Sequence, residues 1–152
     1  MYDMSSISKA GIFVDVKQLM PFTQKMNKEM CVADRRDYGS KLIDYNLRMI
    51  ECFTMAYHRR DEKIEFMADR GYEIELKGEK RRYVDELEAA FDCYKSLMEF
   101  FFENLQFSQM KAETKVKRHK FFMEQMAKIE TGIVKWSASI YKQVVVHTDN
   151  TD

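Results

Sequence analysis

The sequence has little proline or glycine: one proline and five glycines among 152 residues. So few residues of these two types cannot supply the many tight turns of a β-sandwich or a β-barrel. The 25 basic side chains balance 25 acidic ones, which excludes a globally basic nucleic-acid binder and a highly charged disordered chain. Because no run of about 18 apolar residues occurs, we expect no membrane partner.

Cysteine is also scarce. Cys31, Cys52 and Cys93 are widely spaced, and no Cys-x-x-Cys pair occurs, which argues against a metal clip or a redox pair. Three free thiols suit a reducing cytosol, so we predict a cytoplasmic location. Methionine is unusually frequent, with 12 residues, and a core rich in this flexible side chain tolerates loose shape matching.

Four stretches of the chain have the apolar period of an amphipathic helix. Their short links predict an all-α fold, an antiparallel up-down four-helix bundle. We predict a single domain over residues 1–146 and a flexible tail over residues 147–152. The stretches are Ile12 to Met30, Asp34 through Ala56, Lys80 to Asn104, and Gln109 to Tyr141, with boundaries that are approximate.

The predicted core consists of the apolar stripes of these helices. Pro21 interrupts the first stripe, and because proline lacks the backbone N–H, we expect the helix to kink or restart there. The stripes are Ile12, Val16, Leu19, Thr23, Met26 and Met30; Tyr38, Leu42, Tyr45, Met49, Cys52 and Ala56; Val84, Leu87, Phe91, Tyr94, Met98, Phe101 and Leu105; and Phe122, Met126, Ile129, Ile133, Trp136 and Ile140.

Residues 61–78 have no single period. The residues from Ile64 to Met67 could continue the second helix, whereas Tyr72, Ile74 and Leu76 alternate with glutamates, a pattern typical of a strand. A lone short strand has no partner here, so we predict a loop or a helix end.

The sequence has no catalytic or metal-binding signature. The Glu-x-x-His pairs of di-iron bundles are absent, and no Gly-x-Ser-x-Gly elbow or glycine-rich phosphate loop occurs. Cys52 and Cys93 lie on or beside apolar stripes, which predicts small core residues rather than nucleophiles. We therefore expect a protein without catalytic residues, metal or cofactor.

The charges are segregated along the sequence although they cancel overall. An acidic third helix precedes a basic strip at the start of the fourth helix, and such a strip could follow a phosphate backbone. Alternatively, it is a solvated face that pairs with the acidic helix beside it, or with that helix in another subunit, which would favour an oligomer. The basic strip consists of Lys111, Lys115, Lys117, Arg118 and Lys120.

Three consecutive phenylalanines, at positions 100 to 102, point around the third helix rather than to one side. Phe100 and Phe102 therefore leave apolar surface for a subunit interface or a protein partner. The alternative is deep burial of both rings against the first helix and the loop.

Three segments resemble a family of four-helix-bundle proteins. The segments Leu19–Gln24, Arg35–Leu42 and Ile129–Trp136 are similar to a proline-bearing turn in the family's first helix, the basic entry to its second and a glycine-bearing stretch ending its fourth. The family includes the ribosomal-RNA intervening-sequence proteins and the accessory variability determinants of diversity-generating retroelements.

The resemblance implies a homo-oligomeric, non-enzymatic scaffold that binds RNA or a reverse transcriptase. The basic strip would then contact nucleic acid, with Arg35 and Arg36 as secondary contacts. Gly132 would allow close helix approach, and Trp136 would be a large core anchor with its indole N–H near water. The competing expectation is a protein–protein interaction module that uses the apolar face of the third helix and binds no nucleic acid.

Overall fold

Four helices make up most of the chain that the computed structural model describes, which comprises residues 11–59, 62, 65–69, 73–104, 110–141 and 145–148. A helical turn, Val32–Asp34, and a π-helical turn, Arg35–Gly39, lead into the second of them. The helical period of the sequence therefore predicted the correct number of helices and an all-α body. The helices are α1 (Gly11–Glu29), α2 (Ser40–His58), α3 (Glu79–Asn104) and α4 (Ala112–Tyr141).

The helices contact one another in a ring: α1 with α2, α2 with α3, α3 with α4, and α4 with α1. Within each pair, the contacts run in opposite order along the two helices. The contacts are Phe13 with Phe53 and Thr23 with Asn46; Tyr38, just before α2, with Phe101 and Ala56 with Val84; Glu88 with Ser137 and Phe102 with Phe122; and Ile12 with Gly132 and Phe22 with Phe121.

The core follows the predicted stripes closely. All six stripe residues of α1 are buried, as are those of α3 from Val84 to Phe101. In α4, Trp136 is only partly buried, and its ring lies 5.0 Å from that of Phe53. At Gly132 an added Cβ would lie 3.0 Å from Cγ1 of Ile12, so α4 approaches α1 closely at this glycine. Tyr45 is also partly buried, and Tyr38 is the one exposed residue among the described stripe residues, with 37% accessible; Leu105 lies outside the described residues.

Pro21 lies inside α1, which continues through it from Gly11 to Glu29. The predicted restart of the helix is therefore wrong. The proline is exposed on the outer side of the helix, where the backbone group that loses its hydrogen bond can face solvent and the helix can continue.

A small sheet adds to the helical body. Its strands are β1 (Glu65–Asp69), β2 (Glu73–Lys77) and β3 (Val145–Thr148), in the order β2-β1-β3. β1 pairs antiparallel with β2 and parallel with β3. The prediction of a loop or helix end for these segments is wrong, because β2, which carries the strand pattern, pairs with β1 just before it in sequence, and β3 pairs with the other edge of β1. The predicted domain boundary at residue 146 falls inside β3, while residues 149–152 lie outside the described residues.

A buried polar network crosses the middle of the bundle and joins three helices. The hydroxyl of Thr23 on α1 lies 2.9 Å from Oδ1 of Asn46 on α2 and 2.7 Å from the hydroxyl of Tyr94 on α3. Asn46 also donates through Nδ2 to the carbonyl of Val16. Burial raises the pKa of Tyr94 well above its ordinary value, so its hydroxyl stays protonated and works as a hydrogen-bonding group.

Candidate interaction surfaces

The basic strip is divided between two sides of α4. Lys111, Lys115 and Arg118 are spaced by four and three residues, so they share the side of the helix that carries the buried Phe122. Lys117 and Lys120 lie on the other side and are exposed. The five side chains are neighbours in sequence but do not form one continuous basic surface.

Arg118 is committed to a contact within the chain. Its guanidinium forms an ion pair with Glu29 at the end of α1, with a shortest N–O distance of 2.9 Å, and both side chains are only 20% exposed. A second nitrogen, Nε, also donates to this carboxylate. Arg118 therefore fastens α4 to the end of α1, with Nε and Nη2 engaged by the carboxylate of Glu29.

Arg35 caps the carboxyl end of α1. Its guanidinium donates to the backbone carbonyls of Asn27 at 2.9 Å, Lys28 at 3.0 Å and Met30 at 3.2 Å. The last carbonyls of a helix have no partner within the helix, so a cation at this end satisfies them and opposes the helix dipole. The structure thus gives Arg35 a structural role. Arg36 is exposed and forms an ion pair with its neighbour Asp37.

The expected pairing between the basic strip and the acidic α3 is not found. Within the described part of the chain, no residue of the basic strip has an acidic side chain of α3 within ion-pair distance. The ion pair that joins these helices has the opposite polarity: Lys95 of α3 lies 3.6 Å from Glu130 of α4. The basic strip and the acidic side chains of α3 are therefore not paired with each other within this chain.

The two phenylalanines that were predicted to form an interface, Phe100 and Phe102, differ in solvent exposure. Phe100 is 43% exposed, whereas only 7% of Phe102 is accessible. The Phe102 ring packs against Phe122 and edge-on against His119, with centroid distances of 5.6 Å and 5.0 Å. The expectation that Phe102 contributes to an outer apolar surface is wrong, because α4 covers that side of α3.

An exposed apolar stripe, which was not predicted from the sequence, lies on the outer face of α4. Val116, Met123 and Val134 are 69%, 44% and 62% exposed, and Ala127 and Ala138 are exposed along the same line. Spacings of seven, four, seven and four residues keep these positions on one helix face. The buried stripe of α4 has the stronger helical signal, so the periodicity of the sequence predicted only the buried face of this helix.

Two surface pockets mark where α3 and α4 meet beside this stripe. A pocket of about 580 Å³ lies at the end of α3 and is lined in part by Glu103, Val116 and His119. A smaller one, of about 190 Å³, is lined in part by Asp92 and Val134. The apolar residues of α4 therefore lie next to acidic residues of α3.

In the described part of the chain, the cysteines and the metal-ligating side chains form neither a nucleophilic site nor a metal site. Burial is the main cause that raises the pKa of the Cys52 thiol to about 11, so the thiol is protonated at neutral pH and is a poor nucleophile. Beside it, Arg48 and Glu86 form an ion pair. Cys93 is exposed, which contradicts the prediction of a core residue. Among the described residues, no three metal-ligating side chains lie together.

Comparisons with known proteins leave the chain without an assigned family. None of the helices in the described ranges is both long enough and apolar enough to cross a membrane. The resemblance to the intervening-sequence and retroelement accessory proteins stays a prediction. No family model, curated protein or solved structure matches the chain.

Proposed function

We propose that this protein is a non-enzymatic scaffold that works by self-association, built as an antiparallel up-down four-helix bundle. The opposite order of contacts in all four helix pairs supports this arrangement. The observation that carries the proposal is the apolar stripe on α4, where Val116, Met123 and Val134 are 69%, 44% and 62% exposed. Apolar side chains aligned along a solvent-facing helix mark an interaction surface. Free cysteines support a cytoplasmic location.

Self-association predicts a molar mass above that of one 18.2 kDa chain. We expect light scattering coupled to size exclusion to give a mass at least twice that of the chain at micromolar concentration. Dilution series by sedimentation velocity give the dissociation constant. A mass of one chain across the whole concentration range would contradict the proposal.

RNA binding is a second candidate function, and one observation favours it. Lys117, Lys120, Lys128 and Lys135 are exposed on α4, and none of them has an ion-pair partner among the described residues. Glu113 and Glu124 interrupt this line of lysines, which reduces its net charge. The lysines, rather than Arg118 or Arg35, are the residues that would contact phosphate.

RNA binding predicts that the logarithm of the binding constant falls linearly with the logarithm of salt concentration. For the double variant K117E/K120E, filter binding to a mixed RNA panel should show at least a tenfold loss of affinity at low salt. Lys41→Glu on α2 is the matched control, because Lys41 is also exposed but lies on another helix. No salt-dependent retention of the unmodified protein, or an equal loss in the control, would exclude this function.

A further inference from the structure

The exposed face of α4 has charges of opposite sign along its two edges. On one edge lie Asp92 and Glu103 of α3, which share pockets with Val134 and Val116 of the stripe. Glu99, four residues from Glu103, lies on the same side of α3. Within the described ranges, none of these three carboxylates has a cation within ion-pair distance.

On the other edge of the apolar stripe lie Lys117, Lys128 and Lys135, with Lys120 at its border. Helical periodicity places the first three about 100° around α4 from the stripe, on the side away from α3. The face is thus mainly acidic on one side, where Lys95 and Lys115 are the exceptions, apolar in the middle, and mainly basic on the other, where Glu124 is the exception. Such a face is complementary to itself if a second copy presents its basic edge to the acidic one.

Only one of the two orientations open to a symmetric pair joins unlike edges. If the two α4 helices run antiparallel across a two-fold axis, the acidic edge of one copy faces the acidic edge of the other. If they run parallel, with the axis along the helices, each basic edge faces the partner's acidic edge. We propose that two copies associate through this face in the parallel orientation, so that α4 of each packs against α4 of the other and the basic edge of each faces α3 of the other.

The heights of the charges along the bundle fit this orientation. Lys95 of α3 lies level with Glu130 of α4, and Phe102 lies level with Phe122. Since the contacts run in opposite order, Glu103 is level with the part of α4 from Val116 to Lys120, and Asp92 with the part from Ile133 to Lys135. A two-fold axis parallel to α4 preserves these heights, so each acidic residue meets a lysine of the second copy.

The first experiment tests the orientation by cross-linking. A parallel two-fold axis places each stripe residue opposite its own copy, so Met123→Cys in a C31S/C93S background should form a disulfide-linked dimer under mild oxidation. Leu47→Cys in the same background is the control, because Leu47 is 50% exposed on α2, away from the stripe. A dimeric protein in which Met123→Cys cross-links no better than Leu47→Cys would overturn the parallel orientation.

The second experiment tests the surface itself. Val134→Asp buries a charge in the apolar stripe, and we expect at least a tenfold increase in the dimer dissociation constant, measured by sedimentation velocity. Leu47→Asp makes the same change outside the stripe and should leave the dimer intact. Circular dichroism of each variant verifies that the helices are retained. Equal effects of the two variants, or a dimer that persists in Val134→Asp, would overturn the proposed surface.

Charge reversal completes the test. Lys128→Glu should weaken the dimer, and adding Glu99→Lys should restore it, because the two positions then exchange signs across the interface. Absence of rescue would contradict the pairing of unlike edges. This inference rests on the proposed self-association, and the two fail differently: a monomeric unmodified protein refutes self-association, whereas an oligomer that tolerates Val134→Asp refutes only this surface.

Discussion

Gly39→Ala should lower the free energy of unfolding by about 3 kcal/mol, since an added Cβ would overlap the side-chain amide of Asn27. Asn27 is buried and cannot move without loss, because its Nδ2 donates to the carbonyls of Thr23 and Gly39 at 3.0 Å and 3.1 Å. The backbone carbonyl of Asn27 also accepts a hydrogen bond from Nε of Arg35. The extra methyl therefore disturbs the hydrogen bonds through which Asn27 joins the end of α1 to the turn before α2.

Two other glycines that lie within helices, Gly11 and Gly132, give a matched series for this substitution. At Gly11 an added Cβ meets nothing within 4 Å, and at Gly132 it approaches the flexible side chain of Ile12. We expect Gly11→Ala to stay within about 0.5 kcal/mol of the unmodified protein and Gly132→Ala to cost less than Gly39→Ala. Urea unfolding followed by circular dichroism measures all three. A Gly39→Ala variant as stable as Gly11→Ala would show that the junction adapts freely.

Thr23→Val should destabilise the protein by about 2 to 4 kcal/mol, although valine has nearly the same shape as threonine. The change removes the hydroxyl that lies 2.9 Å from Asn46 Oδ1 and 2.7 Å from the hydroxyl of Tyr94. All three residues are fully buried, so the two remaining polar groups would have no water to replace it. Thermal and urea unfolding of the variant measure the loss.

A double-mutant cycle with Tyr94→Phe separates this network from simple packing. Tyr94→Phe removes one of the groups that Thr23→Val leaves unsatisfied, so the double variant should cost at least about 1 kcal/mol less than the sum of the two single changes. Thr54→Val on α2 is a control, since its hydroxyl donates only to the carbonyl of Ile50 in its own helix. Additive costs in the cycle would mean that the two hydroxyls act independently.

The helices could be predicted from the sequence because their signal is local and repeated. Every turn of α1 or α3 places another apolar residue on the same face, so a few exceptions such as Pro21 do not obscure the period. The sheet has no such redundancy. The strand pattern from Tyr72 to Leu76 was visible, but neither its pairing with β1 nor the pairing of Glu65 in β1 with Val145 in β3 can be inferred from one segment alone.

The candidate surface was harder to predict because charge and exposure depend on neighbours in space. Arg118 and Lys117 are adjacent in sequence, yet one is paired with Glu29 and the other faces solvent. In the sequence nothing distinguishes Arg35 from a free basic residue, because the carbonyls at the end of α1 that it binds are brought to it only by the fold. The stripe through Met123 could have been found from its spacing, but only the packed bundle identifies it as the outer side of α4.

The parallel pairing of β1 with β3 has a consequence for the order of folding. β1 and β2 are separated by a few residues and can pair as soon as both leave the ribosome. β3 follows α4, so its pairing with β1 closes a loop that contains α3 and α4 entirely. Since closing such a loop costs more entropy than a local hairpin and slows folding, the third strand joins the sheet after the bundle has brought its ends together.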